Sequence, residues 1–279
     1  MILQAPAKIN LTLDVVGKRE NGYHDVRMIM ETVSLYDTIT VCPQKSIELK
    51  CNLPYVPTDE RNIAFKAAKA FFEKSGIEGG AYINICKRIP VAAGLAGGST
   101  DGAAVLKGLN KIYKAPLTDK QLLETAATIG ADVPYCINGR PALAEGIGEI
   151  ITPLGNMPRT FVLLAKPGIS LSTKWVYSNL VWDKIKLHPD TDGAVKDINN
   201  GNIKGLSQKM YNVLEEVSVS RYPIINEIKS KMIDCGALNS IMSGSGPTVF
   251  GLFDDEEKAK YAKNQLKKMC PFVYCAHTL

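Results

Sequence analysis

Hydrophobic and polar residues alternate near the start of the chain. From Ile9 to Val15 every second residue is apolar, and the residues between them are polar. This period of two predicts a half-buried strand, and it places Lys8 and Asn10 together on the polar face. The dipeptide Asn21-Gly22 predicts a tight turn after that strand.

A second strand-like stretch returns from this turn, from Val26 through Val33, with Tyr23 and His24 at its beginning. Farther along, the spacing of apolar residues predicts helices at 62–74, 101–113, 118–129, 221–235 and 255–269. Further strands are predicted at 81–86, 160–166, 248–253 and 272–276, and a long surface connection at 187–202.

A glycine-rich stretch separates a predicted strand from a predicted helix. Residues 90–100 read P-V-A-A-G-L-A-G-G-S-T, with glycines at Gly94, Gly97 and Gly98. Glycine lets the backbone turn tightly and approach a ligand, and the helix start offers unpaired N–H groups and partial positive charge. These features predict a phosphate cradle, although the same glycines also suit close helix-strand packing. The spacing matches neither a Walker loop nor a dinucleotide site.

Composition narrows the class of protein. The chain has 279 residues, 46% hydrophobic content and a formal net charge of +5. The mild positive charge suits an acidic small molecule such as a nucleotide, and the lack of concentrated basic blocks argues against nucleic acid as a partner. Because there is neither an apolar run of about 18 residues nor a signal peptide, we expect no membrane segment and a cytoplasmic location.

The chain has seven cysteines, an odd number, and no two of them form a C-x-x-C pair. Since most have apolar neighbours, reduced thiols in the core are favoured over disulfides or metal ligands. With only three histidines, the sequence argues against a zinc site.

Three elements in a fixed order carry a resemblance to a known family. P-A-K-I-N-L stands at 6–11, the glycine-rich stretch at 90–100, and M-S-G-S-G-P-T at 242–248. Together they resemble the three motifs of the GHMP kinases, small-molecule kinases for galactose, homoserine, mevalonate and related alcohols. The strings N-G-Y-H-D at 21–25, G-A-D-V-P at 130–134 and A-E-G-I-G-E at 144–149 strengthen the resemblance, which covers nearly the whole chain. Its small departures are Ala96, Thr100 and Gly102.

The resemblance implies an α+β protein with the two-domain GHMP kinase fold. An N-terminal nucleotide-binding α/β domain would span 1–155 and a C-terminal ferredoxin-like domain 156–279, with the active site in the cleft between them. A change of composition beyond Gly155 agrees with this boundary. The implied reaction is ATP-dependent phosphorylation of an alcohol, and the closest branch acts on a small-molecule substrate, a cytidine diphosphate alcohol of the non-mevalonate route to isoprenoid precursors. ATP and Mg2+ are the expected cofactors, with the Mg2+ ligands left open.

Two charged residues carry the implied catalysis. Because phosphoryl transfer has a loose transition state, it depends on positioning, cationic screening and a group that accepts the hydroxyl proton. Asp132 is the implied proton acceptor, and Lys8 would orient it and offset charge on the transferred group. Position alone favours other roles: Asp132 precedes Pro134 as a helix N-cap does, and Lys8 is typical of a solvated strand residue.

The resemblance also assigns binding residues. Tyr23 would stack on cytosine, His24 would bind the edge of that base, and Tyr177 would close the sandwich, with Asn10 in the same substrate site. The structural alternatives are a hairpin-edge residue for Tyr23 and a core aromatic for Tyr177. The implied ATP-binding residues are Asn62 and Lys87, near the adenine, together with Pro90, Val91, Ala92, Ala93, Gly94, Leu95, Ala96, Gly97, Gly98, Ser99 and Thr100.

Three rival functions stay open on the sequence. Another GHMP kinase, of the homoserine or mevalonate type, is disfavoured by Tyr23 and His24. A catalytically silent nucleotide-binding regulator would not need both Lys8 and Asp132. An RNA-binding module is suggested only by the mild positive charge. The oligomeric state is left open.

Overall fold

The computed structural model describes the whole chain, residues 1–279. Its strands are β1 (Ile2–Lys18), β2 (His24–Gln44), β3 (Glu48–Cys51), β4 (Gly80–Cys86), β5 (Ala142–Glu145), β6 (Ile150–Pro153), β7 (Phe161–Lys166), β8 (Tyr211–Asn212), β9 (Asn239–Met242), β10 (Val249–Phe253) and β11 (Phe272–His277). Its helices are α1 (Ile63–Ser75), α2 (Gly97–Ile112), α3 (Asp119–Ile129), α4 (Val133–Asn138), α5 (Thr173–Asn179), α6 (Thr191–Asn199), α7 (Ile203–Lys209), α8 (Glu215–Arg221), α9 (Ile224–Asp234) and α10 (Glu256–Leu266), with a 3-10 turn at Trp182–Lys184. None of the helices is both long enough and apolar enough to span a membrane.

The chain forms two compact units that interleave along the sequence. The first contains residues 1–7, 35–91 and 96–139, and the second contains residues 8–34, 92–95 and 140–279. Both long strands, β1 and β2, contribute residues to each unit. The boundary near Gly155 cuts the chain once, and it stays a prediction.

The first unit packs helices against a small sheet. Residues Thr38–Gln44 of β2 pair antiparallel with β4, and β3 pairs parallel with β4. Helix α1 lies against α2, where a Cβ at Gly102 would come within 2.8 Å of Ile63 Cγ2. Glycine inside a helix costs about 1 kcal/mol relative to alanine, but here it lets the two helices approach.

The second unit contains the ferredoxin-like part. Four antiparallel strands have the order β11-β7-β10-β9, α9 leads into β9, and α10 connects β10 to β11. Numbered along the chain, this is a β-α-β-β-α-β unit in which the first and third strands are central, so the implied ferredoxin-like fold is confirmed. In the same unit β1 pairs parallel with β8, and β2 pairs antiparallel with β5.

The alternation predicted that β1 would be half-buried, but the structure shows residues on both of its faces to be buried. Its polar residues Lys8, Asn10, Thr12 and Asp14 are buried as well as its apolar ones. The strand lies inside its sheet, between β2 and β8, and both of its faces are covered. Alternation alone therefore described the chemistry of the two faces correctly but not their exposure.

Two further local predictions were wrong. The stretch 187–202 is not only a surface connection, because it contains α6, which Asp190 caps through the Gly193 N–H and which buries Ala194 and Ile198. Helix α2 begins at Gly97, so the last four residues of the glycine-rich stretch form the first helical turn rather than a loop.

All seven cysteines are free thiols, but they do not all lie in the core. Cys136, Cys235 and Cys270 are buried, whereas Cys42 is exposed. The prediction of a core position was therefore wrong for Cys42, which lies on β2 near its end.

Candidate active site

The first motif lies in the buried middle of β1. Lys8 and Asn10 share one face of the strand and are 4% and 0% exposed. The Lys8 ammonium donates a hydrogen bond of 2.6 Å to Asn10 Oδ1, and Asn10 Nδ2 contacts Met28 Sδ at 3.1 Å. Because a lysine is rarely buried without a functional or structural reason, the alternative of a solvated strand residue is excluded for Lys8.

The backbone before α2 has a repeated conformation. Ala92, Gly94 and Ala96 have φ angles of 50°, 75° and 53°, in the left-handed region, and the intervening Ala93 and Leu95 are buried. Residues that alternate in this way turn successive N–H groups toward one side and form an anion-binding nest. An alanine in the left-handed region costs about 1–2 kcal/mol, and such strain is concentrated at ligand sites.

The third motif packs directly on this nest. A Cβ at Gly94 would lie 2.1 Å from the Ser243 carbonyl oxygen, and the Ser243 hydroxyl donates a hydrogen bond of 2.9 Å to the Gly94 carbonyl. A Cβ at Gly244 would lie 3.3 Å from Asn10 Oδ1 and 3.5 Å from Lys8 Nζ. Parts of all three motifs, far apart in the sequence, therefore meet at one place in the second unit.

Asn212 holds the third motif in position, and sequence reasoning did not identify it. This residue is fully buried, and its Nδ2 donates hydrogen bonds of 2.8 Å to the carbonyls of Met242 and Gly244. The signal in the sequence is a single amide inside the apolar string Y-N-V-L. One such residue does not distinguish a buried clamp from an ordinary turn.

Helix α2 begins without a side-chain cap. Its N-cap residue is Ala96, no side chain accepts from its first N–H groups, and its first turn contains no acidic residue. Six other helices are capped by the side chains of Asn62, Thr118, Ser172, Asp190, Asn202 and Asp255. The start of α2 thus keeps N–H groups and a partial positive charge to offer to an anion.

A buried ion cluster lies in the same unit as this helix. Lys87 Nζ donates to Asp37 Oδ2 at 2.5 Å and to Asp101 Oδ2 at 2.8 Å. Burial raises the pKa of Asp101, against the attraction of Lys87 and with the repulsion of Asp37. Burial alone would lower the pKa of Lys87, but the two carboxylates outweigh it and raise that pKa.

The side chains of Lys87 and Asn62, the two residues predicted near the adenine, are engaged in ion pairs and hydrogen bonds within the protein. The Lys87 ammonium is engaged with two carboxylates, and Asn62 Oδ1 accepts from the Ala64 N–H at 2.9 Å while Nδ2 donates to the Pro57 carbonyl at 2.7 Å. Asn62 therefore caps α1. Their contact with a nucleotide stays a prediction.

Asp132 stands at the N-cap position of α4, with Pro134 in the first turn, but its side chain makes no capping hydrogen bond. The capping role that its position suggested is therefore not realised. Its side chain is half-buried. Asp132 belongs to the first unit and Lys8 to the second, and their cooperation stays a prediction.

The predicted base-binding residues His24 and Tyr177 are brought together. Their ring centroids are 5.3 Å apart with an interplanar angle of 31°, so the two rings contact each other. His24 is 8% exposed, and its Nε2 is buried with no hydrogen-bond partner. Burial, with a contribution from Lys18, lowers the pKa of His24, so the ring is neutral at pH 7. Tyr23, in contrast, is 60% exposed.

Comparison with known proteins agrees with this geometry. Residues 62–140 match the GHMP kinases N terminal domain and residues 194–271 match the GHMP kinases C terminal domain. A 4-diphosphocytidyl-2-C-methyl-D-erythritol kinase of Clostridium botulinum is 48% identical over 280 residues, which cover all of both chains.

Solved structures give the same result. A 4-(cytidine 5'-diphospho)-2C-methyl-D-erythritol kinase structure is 33% identical with a TM-score of 0.85, covering 100% of this chain and 99% of that one. The homoserine kinase of Cytophaga hutchinsonii is 20% identical with a TM-score of 0.80, covering 99% and 94%, which shows a shared fold alone. The chain belongs to the GHMP kinases and, within them, to the 4-diphosphocytidyl-2-C-methyl-D-erythritol kinase family.

Proposed function

We propose that the chain transfers the terminal phosphoryl group of ATP to the 2-hydroxyl of 4-(cytidine 5'-diphospho)-2-C-methyl-D-erythritol, a step in the non-mevalonate route to isoprenoid precursors. Relatives named for this kinase activity match the chain over its full length. The observation that carries the proposal is the meeting of the three motifs at Lys8, Gly94 and Gly244.

The phosphates of ATP would bind at the nest and at the start of α2. The nest at Ala92, Gly94 and Ala96 presents backbone N–H groups, and α2 adds uncapped N–H groups from Gly97 onward. Both are neutral dipoles that favour negative charge without requiring a counter-ion. This arrangement supports ATP binding by backbone rather than by a Walker-type lysine.

Asp132 and Lys8 would perform the transfer. The substrate hydroxyl oxygen forms a bond to the terminal phosphorus, the bond from that phosphorus to the bridging oxygen breaks, and ADP leaves with the electron pair. Asp132 would take the hydroxyl proton. Lys8 would screen the negative charge on the transferred group.

Mg2+ would accompany the nucleotide. No group of three or more His, Cys, Asp or Glu side chains forms a metal cage by itself, and Mg2+ bound to phosphates needs only one or two protein ligands. The hydroxyls of Ser99 and Thr100, in the first turn of α2, fit such a ligand set. The ion would neutralise charge on the phosphate oxygens.

The cytidine part of the substrate would bind near His24. A neutral imidazole with a buried, unpartnered Nε2 can form a hydrogen bond with the edge of a base, as donor or acceptor according to its tautomer. Since Tyr177 contacts the imidazole, it would fix the ring orientation, and the exposed ring of Tyr23 would supply a stacking surface. Homoserine and mevalonate have no base for these groups to bind.

The test is a coupled ATP-consumption assay with four acceptors: the cytidine diphosphate substrate, homoserine, mevalonate and galactose. We expect kcat/KM for the cytidine substrate to exceed that for each other acceptor by at least about 100-fold, as for a site that binds a substrate's polar edge. A preference for homoserine or mevalonate would assign the chain to another GHMP kinase activity. ATP binding without turnover of any acceptor would identify a silent regulator.

A further inference from the structure

The buried cluster of Asp37, Lys87 and Asp101 has a definite place in the chain. Lys87 lies just before the glycine-rich stretch, and Asp101 lies just after it, in α2. The hydrogen bonds from Lys87 to the two carboxylates therefore connect the two ends of the stretch to each other and to β2, which carries Asp37.

Backbone contacts tighten this connection. Asp37 Oδ1 accepts hydrogen bonds from the backbone N–H groups of Arg88 at 2.5 Å and Ile89 at 2.8 Å, the last residues before Pro90. Directly after β4, Asn52 Oδ1 accepts a hydrogen bond from the Lys87 N–H at 2.8 Å. The entry to the glycine-rich stretch is thus held by a carboxylate and an amide.

The cluster also contacts the helix start itself. A Cβ at Gly97 would lie 3.0 Å from Lys87 Nζ, so the ammonium lies directly beside the first residue of α2. The cluster brings two carboxylates and one ammonium into a buried place, and Asp101 Oδ1 is buried without a hydrogen-bond partner. A stability role alone would be served better by apolar residues of the same volume, because burying such ions is costly.

We propose that Asp37, Lys87 and Asp101 are positioning residues for the nucleotide: they hold the two ends of the glycine-rich stretch, and with them the uncapped start of α2, in the conformation that binds phosphate. They act through the backbone of the stretch and do not touch the reacting atoms. This inference rests on the proposed function only in requiring that the wild-type protein binds and uses ATP.

The test is Asp101→Asn, which keeps the shape of the side chain and leaves Lys87 paired with Asp37. The change weakens a charged hydrogen bond, so we expect KM for ATP and the dissociation constant of a non-hydrolysable ATP analogue to rise about tenfold. The melting temperature should stay equal or rise, because a buried charge is removed, and KM for the alcohol substrate should not change. Asp37→Asn is a second variant with the same expected split between ATP and alcohol.

Asp197→Asn is the matched control. Asp197 accepts from Lys209 at 2.5 Å in the second unit, in a largely buried Asp–Lys pair outside the motifs, and its loss should leave KM for ATP unchanged. Near wild-type ATP affinity in folded Asp101→Asn and Asp37→Asn would overturn the positioning role, as would equal losses for ATP and alcohol. A wild-type protein that does not bind ATP would instead overturn the proposed function.

Discussion

The carbonyl oxygen of Ser243 occupies the space beside Gly94 where any other residue would carry its Cβ, at a distance of 2.1 Å. The Ser243 hydroxyl in turn donates to the Gly94 carbonyl. The second and third motifs therefore form one packed body, in which the conformation of the nest depends on the loop that follows β9. This contact explains why a glycine-rich element near the end of the chain belongs to a site built on its beginning.

We expect Gly94→Ala to abolish activity and to weaken binding of an ATP analogue by at least about tenfold, because the new methyl group would collide with backbone and not with a flexible side chain. Gly22→Ala is the control, since Gly22 also has a positive φ, 86°, but has no atom within 4 Å of the new methyl group. It should lose about 1 kcal/mol of stability and keep its ATP affinity. Isothermal titration of both variants makes the comparison, and equal ATP affinities would contradict the packing.

Asp132→Asn should lower kcat by about 10^2- to 10^4-fold and leave ATP affinity nearly unchanged, because it removes a proton acceptor and no phosphate contact. Steady-state kinetics and titration with an ATP analogue test both expectations. Near wild-type turnover would remove Asp132 from the chemistry.

A double-mutant cycle tests whether Asp132 and Lys8 act as a unit. We expect Lys8→Met to reduce kcat strongly, and the double variant with Asp132→Asn to be little slower than the slower single variant. Fully multiplicative losses would show independent roles. The cycle uses kcat values at saturating ATP and acceptor, so that altered binding does not enter.

Tyr23→Ala should weaken binding of the cytidine substrate by about 1–3 kcal/mol, the value of one base-aromatic stack, without changing ATP affinity. Because Tyr23 is 60% exposed, the melting temperature should not change. Tyr261→Ala removes a similarly exposed tyrosine, at 57%, and is the control. His24→Ala should in addition reduce discrimination between cytidine and uridine versions of the substrate. Unchanged substrate affinity in both variants would exclude this base site.

Stability should depend on pH through Glu31. Burial raises the pKa of this fully buried carboxyl to about 8 from 4.5. The folded protein then holds a proton that the unfolded chain releases, so the stabilisation is complete below about pH 4.5 and is lost progressively up to about pH 8, at about 1.4 kcal/mol per pH unit.

Glu31→Gln should flatten this profile and raise stability at pH 8. Urea unfolding between pH 5 and 9 measures the free energy of unfolding at each pH. Glu257→Gln, at a side chain that is 80% exposed, is the control and should keep the wild-type dependence of stability on pH. A wild-type stability that does not change over this range would contradict a buried, protonated Glu31.

The sequence predicted the chemistry of the site better than its surroundings. Lys8 and Asn10 could be placed on one strand face because side chains alternate with period two. Their burial could not be predicted, since it arises from the neighbouring strands β2 and β8, which come from distant parts of the chain. The same holds for Asp37 and Asp101, whose importance depends on meeting Lys87.

Local signals also competed with tertiary contacts at helix starts. Glycines at 97 and 98 favour a loop by intrinsic propensity, yet they form the first turn of α2. The space beside them is tight, since a Cβ would lie 3.0 Å from Lys87 Nζ at Gly97 and 3.3 Å from Ile63 Cδ1 at Gly98. At 187–202 the polar composition hid a short helix, whose cap at Asp190 is visible in the sequence only once its position is known. The contact between Gly94 and Ser243 spans 149 positions, beyond any local pattern.

The most direct test of the assigned reaction is phosphorus NMR of the wild-type protein with ATP, Mg2+ and the cytidine diphosphate substrate. We expect ADP and a new phosphate monoester resonance to grow in equal amounts, with the new phosphate on the 2-hydroxyl and the diphosphate bridge of the substrate intact. ADP formed together with inorganic phosphate alone, or phosphate attached at another hydroxyl, would contradict the assignment.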